Sequence, residues 1–508
     1  MQLKRTHLSI LMRIVCASIL IFSMQACVPE DDPSNQDPDS GTNPDHDHGG
    51  GGGGGSGGDD SGGGGDGGDG GDGDGDDNDN APRPPGASFP GGFLEDSHTT
   101  TTRALLTEAE IKSFIPERGA FDFPAPYNTR GVRITNASDC GGSDCVNYVG
   151  YSYWKNMNNH VNDDEILIVL GLRLSLGGEG PTLYRFNKET EELIKDGPLF
   201  DPNSRWAYST VETSYFSQSM PTKMYMRDNS KLMRFDVIDR TWETVFDAAE
   251  EFGSGYDIWH THSSNDDGVH SATLRNSSTG AELGCLVYYE TESRFQYFER
   301  KGSFDECHID RSGDYLLIKE NVTGRAGRDS RIINLVTGHE RLLENEDGGG
   351  GHSDMGFGSV VKADNWNSQA NAWRVWDFTR ENMGGQLVYS SATWDAFSPN
   401  HVSFSHARND IPLEEQYICG SAANRAIAPQ ANDILCFMLN DSRDTLVVAP
   451  VMTDLNASGG NDSYSQMPKG NLDVTGQYFI WTTNMGGDRL DAFLVKIPSQ
   501  LLTDPDNE

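Results

Sequence analysis

From residue 160 to residue 471 the chain repeats one pattern: a polar or aromatic position, a short strand-like run, then a turn of Gly, Asn, Asp or Ser. The runs at 165–172, 223–227, 286–289, 315–318, 330–335, 445–449 and 492–497 are rich in Val, Ile, Leu, Tyr and Phe. Such runs, bounded by turn residues, predict antiparallel strands. Leu183-Tyr-Arg-Phe-Asn-Lys-Glu-Thr and Ile332-Ile-Asn-Leu-Val-Thr-Gly each end a strand at a polar turn, as an outer hairpin does. Apolar positions nowhere recur with the period of a long helix. Thr107-Glu-Ala-Glu has the spacing of a capping box and predicts one short helix.

Seven positions mark the repeat: His160, Tyr215, His262, His308, His352, His401 and Asn471, at steps of 55, 47, 46, 44, 49 and 70 residues. A propeller blade of four strands takes roughly 40–50 residues, so only the first and last steps need insertions. The expectation is an all-β fold, a seven-bladed β-propeller, in which the innermost strand of each blade lines a central channel. The last blade, 470–498, is short, and a ring with an open edge exposes unpaired backbone. The strand at Arg130-Gly-Val-Arg-Ile-Thr is expected to close it.

The ends of the chain change the picture of where this ring works. Lys4, Arg5 and Arg13 flank or precede the apolar run 14–22, which is too short for a permanent span and reads as a signal peptide. Its end, Met24-Gln-Ala-Cys27, resembles the lipobox of bacterial lipoproteins, and Val28 resembles the following residue of those sent to the outer membrane. The resemblance implies an exported protein, lipid-anchored through Cys27 to the outer membrane of a Gram-negative bacterium. Between Val28 and Asn80 there are 16 acidic residues and no Lys or Arg, within a glycine-rich tract. Such a segment cannot bury enough apolar area to order itself and reads as a disordered tether. Its Asp-Gly spacing lacks the terminal Glu and flanking helices of an EF-hand. The organisation expected is therefore 1–27 signal peptide, 28–85 disordered Gly/Asp-rich linker and 86–508 propeller, acting as a monomer. A net charge of −38 argues against nucleic acid as a partner.

Cysteine usage agrees with export. Besides Cys16 and Cys27, the chain has Cys140, Cys145, Cys285, Cys307, Cys419 and Cys436. Six cysteines allow 15 connectivities; sequence proximity favours 140–145, 285–307 and 419–436. None has zinc-ligand spacing.

The chemistry lies in the repeat markers. His308-Ile-Asp310 and His352-Ser-Asp354 place an acid two positions after the histidine, and Asn471-Leu-Asp473 is a third copy. Residues two apart share a strand face, so a ring of such motifs predicts a His/Asp-lined channel mouth. Imidazole together with carboxylate suits a divalent transition metal, manganese or zinc among them, better than calcium. The candidate ligands are His308, His352, His401, Asp310 and Asp354, with His262 and Asp473 beside them and His260 and His406 as neighbours able to substitute. The structural alternative is that these side chains cap backbone groups and fix blade geometry.

Ser312-Gly-Asp-Tyr and Thr475-Gly-Gln-Tyr resemble the turn of TolB-type propeller repeats without its proline. Histidines before such strands resemble the oligogalacturonate lyase family, whose seven-bladed propellers hold a divalent metal in the channel mouth; ulvan lyases share the architecture. The resemblance covers residues 255 to 497 and implies His308, His352 and His401 as metal-binding histidines, although His401 and His406 are spaced more widely than that pattern suggests. It implies β-elimination on a uronate-containing polysaccharide. A metal or arginine would neutralise the uronate carboxylate, with His262 or His401 as base. Arg408, Arg311 or Arg425 would pair with carboxylates, and Trp259, Trp366, Trp394 and Tyr256 would stack on sugar rings.

Outside the glycine tract there is no Gly-x-Ser-x-Gly, phosphate-cradling loop or His-Glu-x-x-His. Two functions stay open at this point: a metal-dependent polysaccharide lyase, and a non-catalytic propeller that binds an anionic polysaccharide or a protein partner.

Overall fold

A computed structural model describes residues 91–147, 149, 151–208, 214–322, 330–343, 352–364, 372–381, 384–390, 401–425, 427–460 and 463–503. All described residues belong to one compact unit, Asn78–Glu508. The expected signal peptide, Cys27 and the expected Gly/Asp tether lie outside the described residues, as do Trp366 and Trp394.

Seven antiparallel sheets follow one another along the chain and form a seven-bladed β-propeller. Their inner strands are Met157–Asn158, Tyr215–Phe216, Tyr256–Ser263, Ser303–Ile309, Ser353–Met355, His401–Ser403 and Gly470–Leu472. Each of the seven markers lies in one of these strands or within two residues of its end. Successive inner strands, such as those of blades 3 and 4 or 6 and 7, lie against each other around the channel.

Position within a blade explains the hydrophobic pattern. Glu165–Leu172 is the second strand of blade 1 and is buried from Ile166 to Leu172, because neighbouring blades cover both of its faces. The outer strand of that blade, Leu193–Pro198, alternates half-buried with exposed positions, as a strand wetted on one side must. Short inner strands carry too few residues to show either pattern.

The ring closes as the short last blade requires, with more chain than expected. Blade 7 is completed by Arg130–Arg133 and then Gly119–Asp122, so two N-terminal strands extend the sheet ending in Asp491–Lys496. Arg133 pairs with the buried Asp491 at 2.7 Å, and Thr135 donates to the same carboxylate at 2.9 Å. Phe121 and Phe123 add ring contacts to Phe493 and Trp481. A further N-terminal strand, Phe93–Asp96, pairs with the outer strand of blade 6 and covers its edge. Between these strands the helix Glu108–Phe114 starts at Thr107 with the full capping box: Glu110 N–H donates to the Thr107 hydroxyl, and Thr107 N–H to the Glu110 carboxylate.

All three sequence-local disulfides form. Cys419 and Cys436 face each other across adjacent strands of blade 6. Cys285 and Cys307 instead link blades, joining Glu282–Tyr289 of blade 3 to the inner strand of blade 4.

Candidate metal centre

Two inner strands build the centre. In Ser303–Ile309 the register slips between Phe304 and Glu306, and in Tyr256–Ser263 between Trp259 and His262, where His260 takes a left-handed backbone at φ 42°. An extra residue in a strand re-aims the side chains that follow it. Beyond the slip, Glu306 and His308 share one face, and Cys307 between them takes the opposite face, where it bonds Cys285. His262, Glu306 and His308 thereby offer donor atoms that all lie within 4.8 Å of one another, and all three side chains are buried. The imidazoles of His262 and His308 stack at 4.1 Å between ring centres. A second pair from blades 5 and 6, His352 and His401, stacks at 3.9 Å.

An aromatic segment between the closing strands and blade 1 fills the space between these pairs. Tyr151 meets His401 edge-on at 4.4 Å and His352 at 5.7 Å, while Tyr153 meets His308 at 4.7 Å and His262 at 5.0 Å. The two tyrosines stack on each other, and Trp154 donates from Nε1 to the Thr261 carbonyl. Next comes Lys155, buried, which with His262, His308, Arg311, Asp267 and Asp354 borders the cavity that remains. That space exceeds a water molecule only slightly.

The charges are arranged around Glu306. Burial opposes its ionisation, but Lys319 at 2.5 Å and then His308 at 3.1 Å outweigh that cost and hold the carboxyl well below its ordinary range. His262 is held well below the ordinary histidine value by burial and then by His308; His401 is held low by burial and then by His352. Burial lowers His260 to about 4 and, with Arg311, His406 to about 3. Lys155 is likewise pushed well below the lysine range by burial and then by Arg311. Burial thus favours the neutral form of His262 and His401, the form that binds a metal. His262 Nε2, His308 Nδ1 and both ring nitrogens of His401 make no hydrogen bond, and His308 Nε2 has only its contact with Glu306. Buried polar atoms normally find a partner, and two imidazoles beside one carboxylate are a donor set for manganese or zinc.

The structure separates the remaining predicted residues. Asp310 lies just beyond its strand, and its oxygens accept from Ser312 Oγ, Tyr315 N–H and, in the next blade, Gly358 N–H. Asp473 caps the equivalent turn through Thr475 and Gln477 N–H. Gly313 and Gly476 in these turns sit at φ 80° and 72°, which a side chain would strain. Asp354 accepts from Met355 N–H, Phe404 N–H and Arg311. These acids therefore hold blades together, whereas the carboxylate brought to the histidines is Glu306. Arg408 is exposed and paired with Asp410. Arg425 reaches the Leu455 carbonyl. Trp259 has the guanidinium groups of Arg227 and Arg275 over its ring at 4.1 and 4.6 Å, and Tyr256 lies at the far end of the strand from His262, roughly 20 Å away. His160 bonds Asn158, and Asn471 exchanges hydrogen bonds with Asn156.

Sequence reasoning missed Glu306, Lys155 and the Tyr151–Trp154 run. Glu306 stands two residues before His308, so the same-face rule applied backwards along the strand would have found it. The aromatic run showed itself only as three large rings without strand alternation.

No family model and no curated protein matches the chain. Among solved structures, it resembles an oligogalacturonate lyase in complex with manganese (12% identity, TM-score 0.51, 76% of this chain and 98% of that one). It also resembles an oligogalacturonate lyase from Vibrio parahaemolyticus (9% identity, TM-score 0.52, 75% and 96%). TolB from Acinetobacter baumannii matches over 56% of this chain and 63% of its own, at 12% identity and TM-score 0.36. At these identities the likeness to the two lyases is one of fold.

Proposed function

We propose that this protein is a metal-dependent lyase acting by β-elimination on a uronate-containing polysaccharide, exported and held at the outer membrane by a lipid on Cys27. The observation that carries the reading is the buried group His262, Glu306 and His308, whose donor atoms lie within 4.8 Å, with His262 Nε2 and His308 Nδ1 left without a hydrogen bond. One of the solved propellers with this fold is an oligogalacturonate lyase in complex with manganese, which supports manganese as the ion. Bound there, the ion supplies Lewis acidity toward a uronate carboxylate.

The chain's own residues supply the rest. His401, neutral and with both nitrogens free of hydrogen bonds, is the proton acceptor for the C–H next to the carboxylate. Arg311, anchored by the Met355 carbonyl and Asp354, faces the cavity as the fixed cation. Tyr151 and Tyr153 exclude water from the histidines until substrate displaces them.

That same segment favours a second reading, a binding propeller with a permanently filled channel. One experiment separates the two. Full-length protein purified without chelator is assayed for metal content and for ultraviolet absorbance of unsaturated products on uronate polymers, beside His262→Ala/His308→Ala. About one equivalent of metal, lost in the variant together with product formation, is the expected result. Metal-free wild-type protein that forms no product refutes the lyase and leaves the binder.

A further inference from the structure

Lys155 has no role in the fold that its surroundings explain. It is 2% exposed and borders the channel cavity, and its side-chain nitrogen makes no hydrogen bond or ion pair among the described residues. A buried ammonium without a partner is among the costliest arrangements in a protein interior. The two carboxylates that share the cavity are occupied elsewhere. Asp354 already accepts from Arg311 and two backbone N–H groups. Asp267 accepts at Oδ2 from the Ser217 and Ser219 hydroxyls and from Ser219 N–H.

What is left facing the cavity has a definite chemical sense. Lys155 offers an amine that a bound carboxylate would hold as an ammonium, and Arg311 a guanidinium of which only Nε and Nη2 are engaged. Against these two donors stand two side-chain oxygens buried without a hydrogen bond, Gln218 Oε1 and Asp267 Oδ1, the latter beyond ion-pairing distance of Lys155. Two basic groups beside two unbonded oxygens fit a ligand that carries a carboxylate next to hydroxyls. The carboxylate would lie between Lys155 and Arg311 and relieve their repulsion, and the hydroxyl would donate to Asp267. A uronic acid has this pairing, and a neutral hexose lacks the carboxylate.

We infer that Lys155 and Arg311 form a carboxylate-binding subsite in the channel, and that Lys155 selects an acidic sugar over its neutral or esterified counterpart. The inference rests on the reading of the channel as a uronate site and names the residue that gives it that preference. The remaining space admits little more than the carboxylate itself, so the acidic end enters first and the ring follows only as Tyr153 and Trp154 yield.

The test uses the full chain, with trigalacturonate and its methyl ester as probes in titration calorimetry, and bound manganese measured on the same samples. Wild-type protein binds the acid in preference to the ester. Lys155→Met, which keeps the length and removes the charge, weakens binding of the acid by about 10- to 100-fold, the worth of one charge-assisted hydrogen bond. It leaves the ester and the manganese content unchanged. Its melting temperature is equal to or above wild type, because an unpartnered buried amine has been removed. Lys155→Arg keeps the preference for the acid and guards against a misfolded Met variant. Equal binding of the acid by wild type and Lys155→Met overturns the inference, as does a wild type that treats acid and ester alike. A wild type that retains manganese but binds neither probe overturns it too while leaving the metal centre standing.

Discussion

Replacing Glu306 by Gln tests the centre at its electrostatic hinge. Glu306 is 5% exposed and Lys319 is 4% exposed, and the two meet at 2.5 Å, with His308 at 3.1 Å and His260 at 3.6 Å on the same carboxylate. The carboxamide is close in shape but neutral, so it leaves the Lys319 ammonium buried without this counter-ion. Asp305, at 3.9 Å, is a weaker substitute. Removing one partner of a buried pair costs about 3–5 kcal/mol, whereas replacing both by apolar groups is close to neutral. Glu306→Gln should therefore lower stability by about 3–5 kcal/mol. The double variant Glu306→Gln/Lys319→Met should return to within about 1 kcal/mol of wild type. The assay is equilibrium urea unfolding followed by tryptophan fluorescence, with chelator present so that metal does not contribute. On separate chelator-free samples, both variants should lose bound manganese, because the carboxylate ligand is gone in each. The restored stability of the double variant then separates the ligand role from the folding role. Glu306→Gln within about 0.5 kcal/mol of wild type, with undiminished manganese, would refute both the buried pair and the assignment of Glu306 to the metal centre.

Two further outcomes follow from the same structure. His406 is lowered to about 3 by burial and then by Arg311, so between pH 6.5 and 3 the unfolded chain takes up a proton that the folded chain refuses, and His406 removes stability as pH falls through that window. In His406→Gln this loss is absent. The variant should gain about 2 kcal/mol on wild type between pH 6.5 and pH 5 in urea midpoints, and a difference independent of pH would show that His406 is not buried neutral. Cys285→Ser/Cys307→Ser removes a crosslink spanning 22 residues and should cost about 3 kcal/mol. Because Cys307 backs Glu306 and His308, the variant should also retain manganese less well, whereas Cys419→Ser/Cys436→Ser should affect stability alone; equal manganese retention in the two double variants would count against the inter-blade staple.

The repeat and its consequences are local properties of the chain. The spacing of the seven markers follows from how many residues four short strands and their turns consume, so the number of blades could be counted before any contact was known. The disulfides were legible for the same reason, since each joins cysteines 5 to 22 residues apart. The capping box at Thr107 involves only four consecutive residues. Closure by the N-terminal strand followed from a missing edge, which is a matter of counting strands.

What the histidines do depends on neighbours far away in sequence. His262 meets His308, and His352 meets His401, because adjacent blades turn their inner strands toward one axis, and a bulge in each of blades 3 and 4 decides which side chains point there. Asp310 and Asp354 carry the same pattern as the histidines, yet their oxygens meet N–H groups of the following blade, such as Gly358 and Phe404. A same-face rule describes one strand at a time and cannot tell an acid that faces an axis from one that is turned into the next blade. Lys155 and the aromatic segment before it reach the channel across a gap in sequence that no periodicity spans. The chain alone determined the ring; only the packing of blade on blade decided which of its polar residues meet at the centre, because those meetings join residues far apart in the sequence.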